Sequence, residues 1–155
     1  MAARPRLFHL MDRAHRALFR AAERDLVPAL GITPSQLGAL FFIGAHDNCL
    51  AGELARGLDL NNSAITGLAG RLEKAGLITR SPCPEDGRAQ RLRLTEAGAD
   101  AVKQAVPRVV AWNERVASDF TDAELETISR FLTYLCHIDE TQKAPLASST
   151  GASHE

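Results

Sequence analysis

Apolar residues recur at helical spacing through the start of the chain. Leu7, Leu10, Met11, Ala14, Leu18, Ala22 and Leu26 share one face, and Gly31 closes the run after Leu30. The pattern restarts at Ile32-Thr33-Pro34-Ser35-Gln36-Leu37. Thr33 supplies an N-cap, Pro34 takes the first helical position, Gln36 completes a capping box, and Ile32 and Leu37 close a hydrophobic staple over it. This second helix carries Leu37, Leu40, Phe41 and Ile43 and fades near Gly44-Ala45-His46. After an Asp47-Asn48 turn, Leu50 to Gly57 predicts a short helix. Leu54, Ala55, Leu58, Leu60, Ile65 and Leu68 then have the spacing of two helices that share a core across a tight turn, with Asp59 where a glycine usually stands. Asn61 or Asn62 caps the second of these helices, which runs to about Ala75 and stops at Gly76, with Leu77 as its C-terminal hydrophobic contact.

Beyond Gly76 the period changes to two. Leu77–Ser81 reads as a strand, Pro82–Arg88 as a tip and Ala89–Leu94 as the returning strand. Arg91 and Arg93 fall on one face, Leu92 and Leu94 on the other. Asp86-Gly87 is a tight-turn dipeptide, its glycine admitting the positive φ expected at a ribbon tip. Thr95-Glu96-Ala97-Gly98 opens a long helix with Val102, Val106, Val109, Val110 and Val116 available for burial, and Pro107 predicts a kink in it. Phe120-Thr121-Asp122-Ala123-Glu124-Leu125 is a second capping box, starting a helix that buries Leu125, Ile128, Leu132 and Leu135. From Lys143 onward the composition turns to Ala, Ser, Thr and Gly, predicting a disordered tail. Two helices joined by a turn and followed by a basic ribbon form a winged helix-turn-helix. The fold class expected is therefore mainly α with a small β-wing, framed by extra helices at both ends, and the partner it suggests is DNA.

Composition refines this picture. A chain of 155 residues with 45% hydrophobic content can bury a core, and 5% aromatic content argues against a stacking platform for single strands. The net charge of −1 does not suggest nucleic acid, but its distribution does. Residues 71–93 carry six Lys/Arg against three acids, whereas residues 94–155 carry five against ten. The three cysteines Cys49, Cys83 and Cys136 have no metal-ligand spacing, so no metal, cofactor or disulfide framework is implied. Charged residues interrupt every apolar run near the N-terminus. No stretch is long enough to span a membrane, and a cytoplasmic, reduced protein is expected. No nucleophile–base pair or phosphate loop suggests an enzyme.

The run from Gly31 to Gly98 resembles the MarR family of bacterial transcription regulators. The marks are the Thr-Pro-x-Gln start of the second helix, Glu53-Leu54-Ala55, Arg71-Leu72-Glu73-Lys74-Ala75-Gly76-Leu77, and the wing Asp86-Gly87-Arg88-Ala89 running into Leu94-Thr95-Glu96-Ala97-Gly98. The resemblance implies an N-terminal dimerisation helix over residues 1–32, a DNA-binding domain over 33–98, C-terminal dimerisation helices over 99–142 and a tail over 143–155. It implies a homodimer on a palindromic operator in double-stranded DNA, most often a repressor, released by a small-molecule effector. The docking rule for such folds sets Asn61, Asn62, Ser63, Ala64, Thr66 and Arg71 toward the major groove. By resemblance Arg88 enters the minor groove. Asp86 is expected to hold the Arg88 guanidinium through a paired hydrogen bond, and Arg91 and Arg93 to clamp phosphates. Gly67 and Gly70, poor helix formers, point either to close approach of a phosphate backbone or to close helix packing.

Family members often bind small aromatic acids in a cleft between the dimer helices and the winged domain. The matching positions are His15, Phe19 and Arg20 on the first helix and Phe41, Phe42 and His46 on the second, where cationic groups beside phenyl rings could hold a carboxylate. Plain packing of Phe19 and Phe41 is the competing account. Some relatives sense peroxide through a cysteine in the first helix, which this sequence lacks. Cys83, expected in an exposed wing loop near Arg80 and Arg88, leaves redox control open. A winged helix that binds protein instead of DNA is the alternative from another class, and the three arginines of the wing argue against it.

Overall fold

The computed structural model describes residues 6–138. The capping signals and apolar spacings place most of its elements. α1 spans Leu7–Leu30 and ends where Gly31 turns left-handed at φ 69°, its N–H on the Val27 carbonyl. α2, Pro34–Ala45, opens on the expected capping box: Thr33 N–H donates to Gln36 Oε1 at 2.8 Å, and Gln36 N–H to Thr33 Oγ1 at 3.3 Å. α3 spans Ala51–Gly57 and α4 Asn62–Lys74. Between them Asp59 takes a left-handed φ of 51°, the conformation for which glycine is usual and which aspartate tolerates. Asn61, not Asn62, caps α4, its side chain accepting the Ala64 N–H at 2.8 Å.

The sheet has one strand more than the alternation predicted. β2 (Ile78–Pro82) and β3 (Gln90–Leu94) form the ribbon, and a two-residue strand, β1 (Cys49–Leu50), pairs with the other edge of β3. All pairings are antiparallel, in the order β1-β3-β2, with Leu92 facing Cys49 on one side and Arg80 on the other. The core lies where this sheet meets the helices. Leu40 and Ile43 from α2, Leu54 from α3, Leu72 from α4, Ile78 from β2 and Leu92 from β3 are its largest fully buried side chains. Leu54, Ala55, Ile65 and Leu68 are buried as the helix-pair spacing requires. Leu60 departs from that expectation: it stands just before the Asn61 cap, where the chain leaves the shared core, and is 39% exposed.

α5 spans Glu96–Ala117, continuous through Pro107, and α6 spans Asp122–Cys136. The chain divides into two compact units, Met1–Val110 and Ala111–Glu155, with the division inside α5. In the first unit, one threonine joins three elements. Thr95 Oγ1 donates to the Gly76 carbonyl at 2.6 Å and accepts the Gly98 N–H at 3.0 Å, while its own N–H donates to the Leu77 carbonyl at 3.1 Å. The end of α4, the start of β2 and the first turn of α5 thus meet at one point. In the second unit, α6 opens on the predicted Thr121–Glu124 capping box. The side chains expected to be buried there are not enclosed within the chain: Leu125 and Leu135 are half-buried, and Ile128 and Leu132 are exposed. Leu7, Leu10, Leu18, Val106, Val110 and Val116 are exposed as well, so these apolar stripes are not covered by the described residues. No single described helix is long and apolar enough to cross a membrane. The expectation for residues 143–155 falls outside the described residues.

Candidate nucleic-acid interface

α4 presents its first turn outward because Ile65, Leu68, Ala69 and Leu72 pin its opposite face to the core. Asn61, Asn62, Ser63, Ala64 and Thr66 are all exposed. The Thr66 hydroxyl donates to the Asn62 carbonyl at 2.8 Å, leaving its oxygen as an acceptor. Among the described residues the side chains of Asn62 and Ser63 have no hydrogen-bond partner. Gly67 and Gly70 now separate. A methyl group at Gly67 would stand 3.4 Å from Arg71 Nη1, so this glycine lies beneath the Arg71 guanidinium. Beyond Gly70 lies open space, which removes packing within the chain as its reason. Arg71 itself borders a cavity of about 300 Å³ with Phe19, Glu23, Ser35 and Gln36, beside the start of α2.

The wing tip corrects two expectations. Gly87 has no positive φ; among the described residues Gly31 and Gly76 are the glycines that do. The strands are joined by residues 83–89, long enough to turn without a mirror-image bend, and the Ala89 N–H closes an ordinary turn on the Asp86 carbonyl at 2.9 Å. Asp86 does not hold the Arg88 guanidinium. Its Oδ1 accepts the Arg88 backbone N–H at 3.0 Å, the local bond of an aspartate at a turn, which is reached at less entropic cost than a paired guanidinium. The Arg88 guanidinium has no partner among the described residues.

The other wing arginines are engaged. Arg80 donates through Nε to Glu73 at 2.8 Å, which holds the Glu73 carboxyl below its usual range and raises Arg80. Arg93 Nε stands 3.2 Å from Asp47, both groups open to solvent. Arg91 reaches in two directions, with Nη1 donating to the Asn48 carbonyl at 3.2 Å and Nη2 to Glu85 Oε2 at 2.9 Å. The same carboxylate oxygen accepts the Cys83 thiol at 2.8 Å. The thiol first and Arg91 second pull the Glu85 carboxyl down to about 2. Cys83 is therefore not the exposed cysteine expected beside Arg80 and Arg88: it is buried, bonded to the Glu85 carboxylate, and the cation near it is Arg91. Neither this network nor β1 was read from the sequence. A carboxylate six residues before an arginine gives no local signal, and a two-residue strand exists only through its partner.

The cavities described among residues 6–138 divide the candidate effector residues. His15 and Phe19 stack on α1 with ring centroids 4.4 Å apart, and Phe19 lines the cavity beside Arg71. Phe42 and His46 stack at 4.3 Å and line a second cavity of about 360 Å³ with Asp47, Cys49, Glu53 and Arg91. Arg20 lines a third along α1 with Leu10 and Arg13, and Phe41 packs against the core. Helical spacing gave the stacked pairs; the separation of the pairs follows from how α1 and α2 pack. Among the described residues no group of His, Cys, Asp or Glu is arranged to hold a metal.

This geometry is that of a winged helix-turn-helix, with a free cation at the wing tip and free amide and hydroxyl groups at the start of α4. The MarR family model matches residues 30–89. Over 137 residues the chain is 30% identical to the "Putative transcriptional regulatory protein for hcr operon" of Thauera aromatica, spanning 88% of this chain and 82% of that protein. The chain belongs to the MarR family. This MarR-family protein is also 28% identical over 130 residues to the HTH-type transcriptional repressor MdtR of Bacillus subtilis, covering 82% and 84% of the two chains. Its fold matches a mutant MarR from E. coli complexed with operator DNA, with a TM-score of 0.77, 26% identity, and 83% and 92% of the chains covered. It stands among DNA-binding transcription regulators.

Proposed function

We propose that this MarR-family protein is a cytoplasmic homodimeric repressor that binds a palindromic operator and leaves it when a small molecule binds. Residues 33–98 read the DNA, and residues 1–32 and 99–142 pair the subunits. α4 enters the major groove by its first turn. Asn62 and Ser63 meet base edges or phosphates beside the Asn61 cap, Ala64 packs on a thymine methyl, and Thr66, Arg71 and Arg93 face the backbone. Asp86 shapes the tip that carries Arg88 into the minor groove. The observation that carries this reading is a contrast. Arg80 and Arg91 already face carboxylates, whereas Arg88, Asn62 and Ser63 stand exposed with no partner among the described residues.

The exposed stripes on α1, α5 and α6 support pairing of two chains, which sets the half-sites about 34 Å apart. A repressing role is supported by the likeness to MdtR. The stacked pairs His15–Phe19 and Phe42–His46 support an aromatic carboxylate as effector, with Arg71 as counter-charge beside Phe19. The test is fluorescence anisotropy on the DNA upstream of the protein's own gene, with wild type and Arg88→Ala at two salt concentrations. Tight binding that the substitution weakens, with a salt slope about 0.9 smaller, is the expected result. Affinity no better than for random duplex, at every salt concentration, would sink an operator at this position and leave either a distant operator or a protein partner for the wing.

A further inference from the structure

We propose that Arg91 is a positioning residue that braces the wing tip, and not a phosphate clamp. It sits on β3, where its Cα is opposite Leu50 of β1 and Ser81 of β2, one pair before the strands give way to the tip loop. Its two terminal nitrogens are divided between parts of the chain that are distant in sequence. Nη1 holds the carbonyl of Asn48, a residue with a left-handed φ of 61° in the turn between α2 and β1. Nη2 holds Glu85, in the loop that carries Arg88. Glu85 is fixed a second time by the buried Cys83 thiol, and the Cys83 N–H closes the base of the loop on the Ala89 carbonyl at 3.0 Å. The next residue, Asp86, sets the Arg88 backbone. A continuous line of hydrogen bonds thus runs from the α2–β1 turn through Arg91 and Glu85 to the residue beside the Arg88 clamp, and it stops short of the Arg88 guanidinium.

The consequence is a tip whose root is fixed and whose cation is free. Arg91 commits one N–H of each terminal nitrogen inside the chain, and the Glu85 carboxylate beside it offsets its charge toward DNA. Ordering a loop before binding removes part of the entropic cost of association, so the brace raises affinity without touching the nucleic acid. Only arginine can do this. Its planar fork serves two acceptors in different directions, whereas lysine keeps the charge and loses the second reach.

This inference rests on the reading that the wing tip meets DNA, and the experiment separates the two. Anisotropy titrations on the upstream duplex compare wild type, Arg91→Lys, Glu85→Gln, Arg88→Ala and Arg88→Ala/Arg91→Lys across a salt series. Arg91→Lys is expected to lose about two- to tenfold in affinity, the range for ordering one side chain, with the salt slope unchanged. Glu85→Gln should do the same, and Arg91→Lys should cost nothing further once Arg88 is alanine. An Arg91→Lys variant that binds like wild type, or losses that add to that of Arg88→Ala, would overturn the proposal in favour of a direct phosphate contact. A second arm needs no DNA. Amide relaxation of Gly87 and Arg88 in the free full-length protein should show order parameters falling below about 0.6 in Arg91→Lys and Glu85→Gln, with the α4 amides unaffected. Unchanged order at the tip overturns the brace even if wild type binds no DNA at all, an outcome that would sink only the operator reading.

Discussion

Gly98→Ala sets two principles against each other at the first turn of α5. Alanine is the better helix former by about 1 kcal/mol, so propensity alone predicts stabilisation. The structure predicts the opposite. A methyl group at Gly98 would overlap the Leu77 carbonyl oxygen and stand 3.0 Å from its carbon and 3.4 Å from Leu77 Cα. These are backbone atoms that cannot rotate away, and an ordinary carbon–oxygen contact needs about 3.3 Å or more. Relief requires α5 and the start of β2 to separate, which breaks the Thr95 N–H bond to the same carbonyl. Overpacking costs about 1–3 kcal/mol and the lost hydrogen bond about 0.5–1.5 kcal/mol. Net of propensity, the variant should be about 2 kcal/mol less stable, which for a chain of this size lowers the melting temperature by about 4–8 °C. Urea unfolding followed by circular dichroism, at one protein concentration, measures it. Gly70→Ala is the internal control: its methyl group meets open space, so it should gain up to about 1 kcal/mol. If Gly98→Ala proves as stable as wild type, α5 is not seated on the Leu77 carbonyl and the junction drawn here is wrong.

Thr33→Ala removes the hydroxyl that accepts the Gln36 N–H and should cost about 1 kcal/mol in chemical denaturation; no change would mean that Pro34 alone sets the start of α2. Glu85 has a depressed folded pKa, so the stability it contributes is present above its ordinary 4.5 and is lost as pH falls toward about 2. Glu85→Gln should flatten urea midpoints across that window, and an unaltered pH profile would refute the Cys83–Glu85–Arg91 network. Leu132→Asp places a charge on an exposed position of α6 and should leave the chain folded but shift sedimentation toward the monomer. A dimer of undiminished strength would exclude that stripe from the interface.

What the sequence made legible was local. Thr33, Gln36, Thr121 and Glu124 announced helix starts because a cap and its partner lie within one turn, and Gly31 and Gly76 marked stops because the left-handed conformation selects them. Strand alternation likewise put Arg91 and Arg93 on one side of the ribbon. It could not say what they would meet there: Asp47 and the Asn48 carbonyl arrive from a turn more than forty residues earlier. β1 was invisible for the same reason, since two residues have no period. The Asp86 bond to the Arg88 N–H is local too, since an aspartate before a glycine is a turn signal in its own right. The effector residues were legible only within one helix. Four-residue spacing stacked His15 on Phe19 and Phe42 on His46, but only packing decides which pair faces which.

The threonine that joins Gly76, Leu77 and Gly98 has a mechanical meaning. It makes the angle between α4 and the first turns of α5 a fixed quantity, so that the two helices form the arms of a bell crank with its pivot at Thr95. From Glu96 to Val110 the long arm measures about 21 Å, and α4 forms a short arm of about 18 Å at 1.5 Å per residue. A sideways push of about 1 Å near Val110 turns the pivot by about 3° and moves the tip of α4 by almost the same amount. For rigid arms, a displacement at Val110 would reach the first turn of α4 at close to one-to-one gearing.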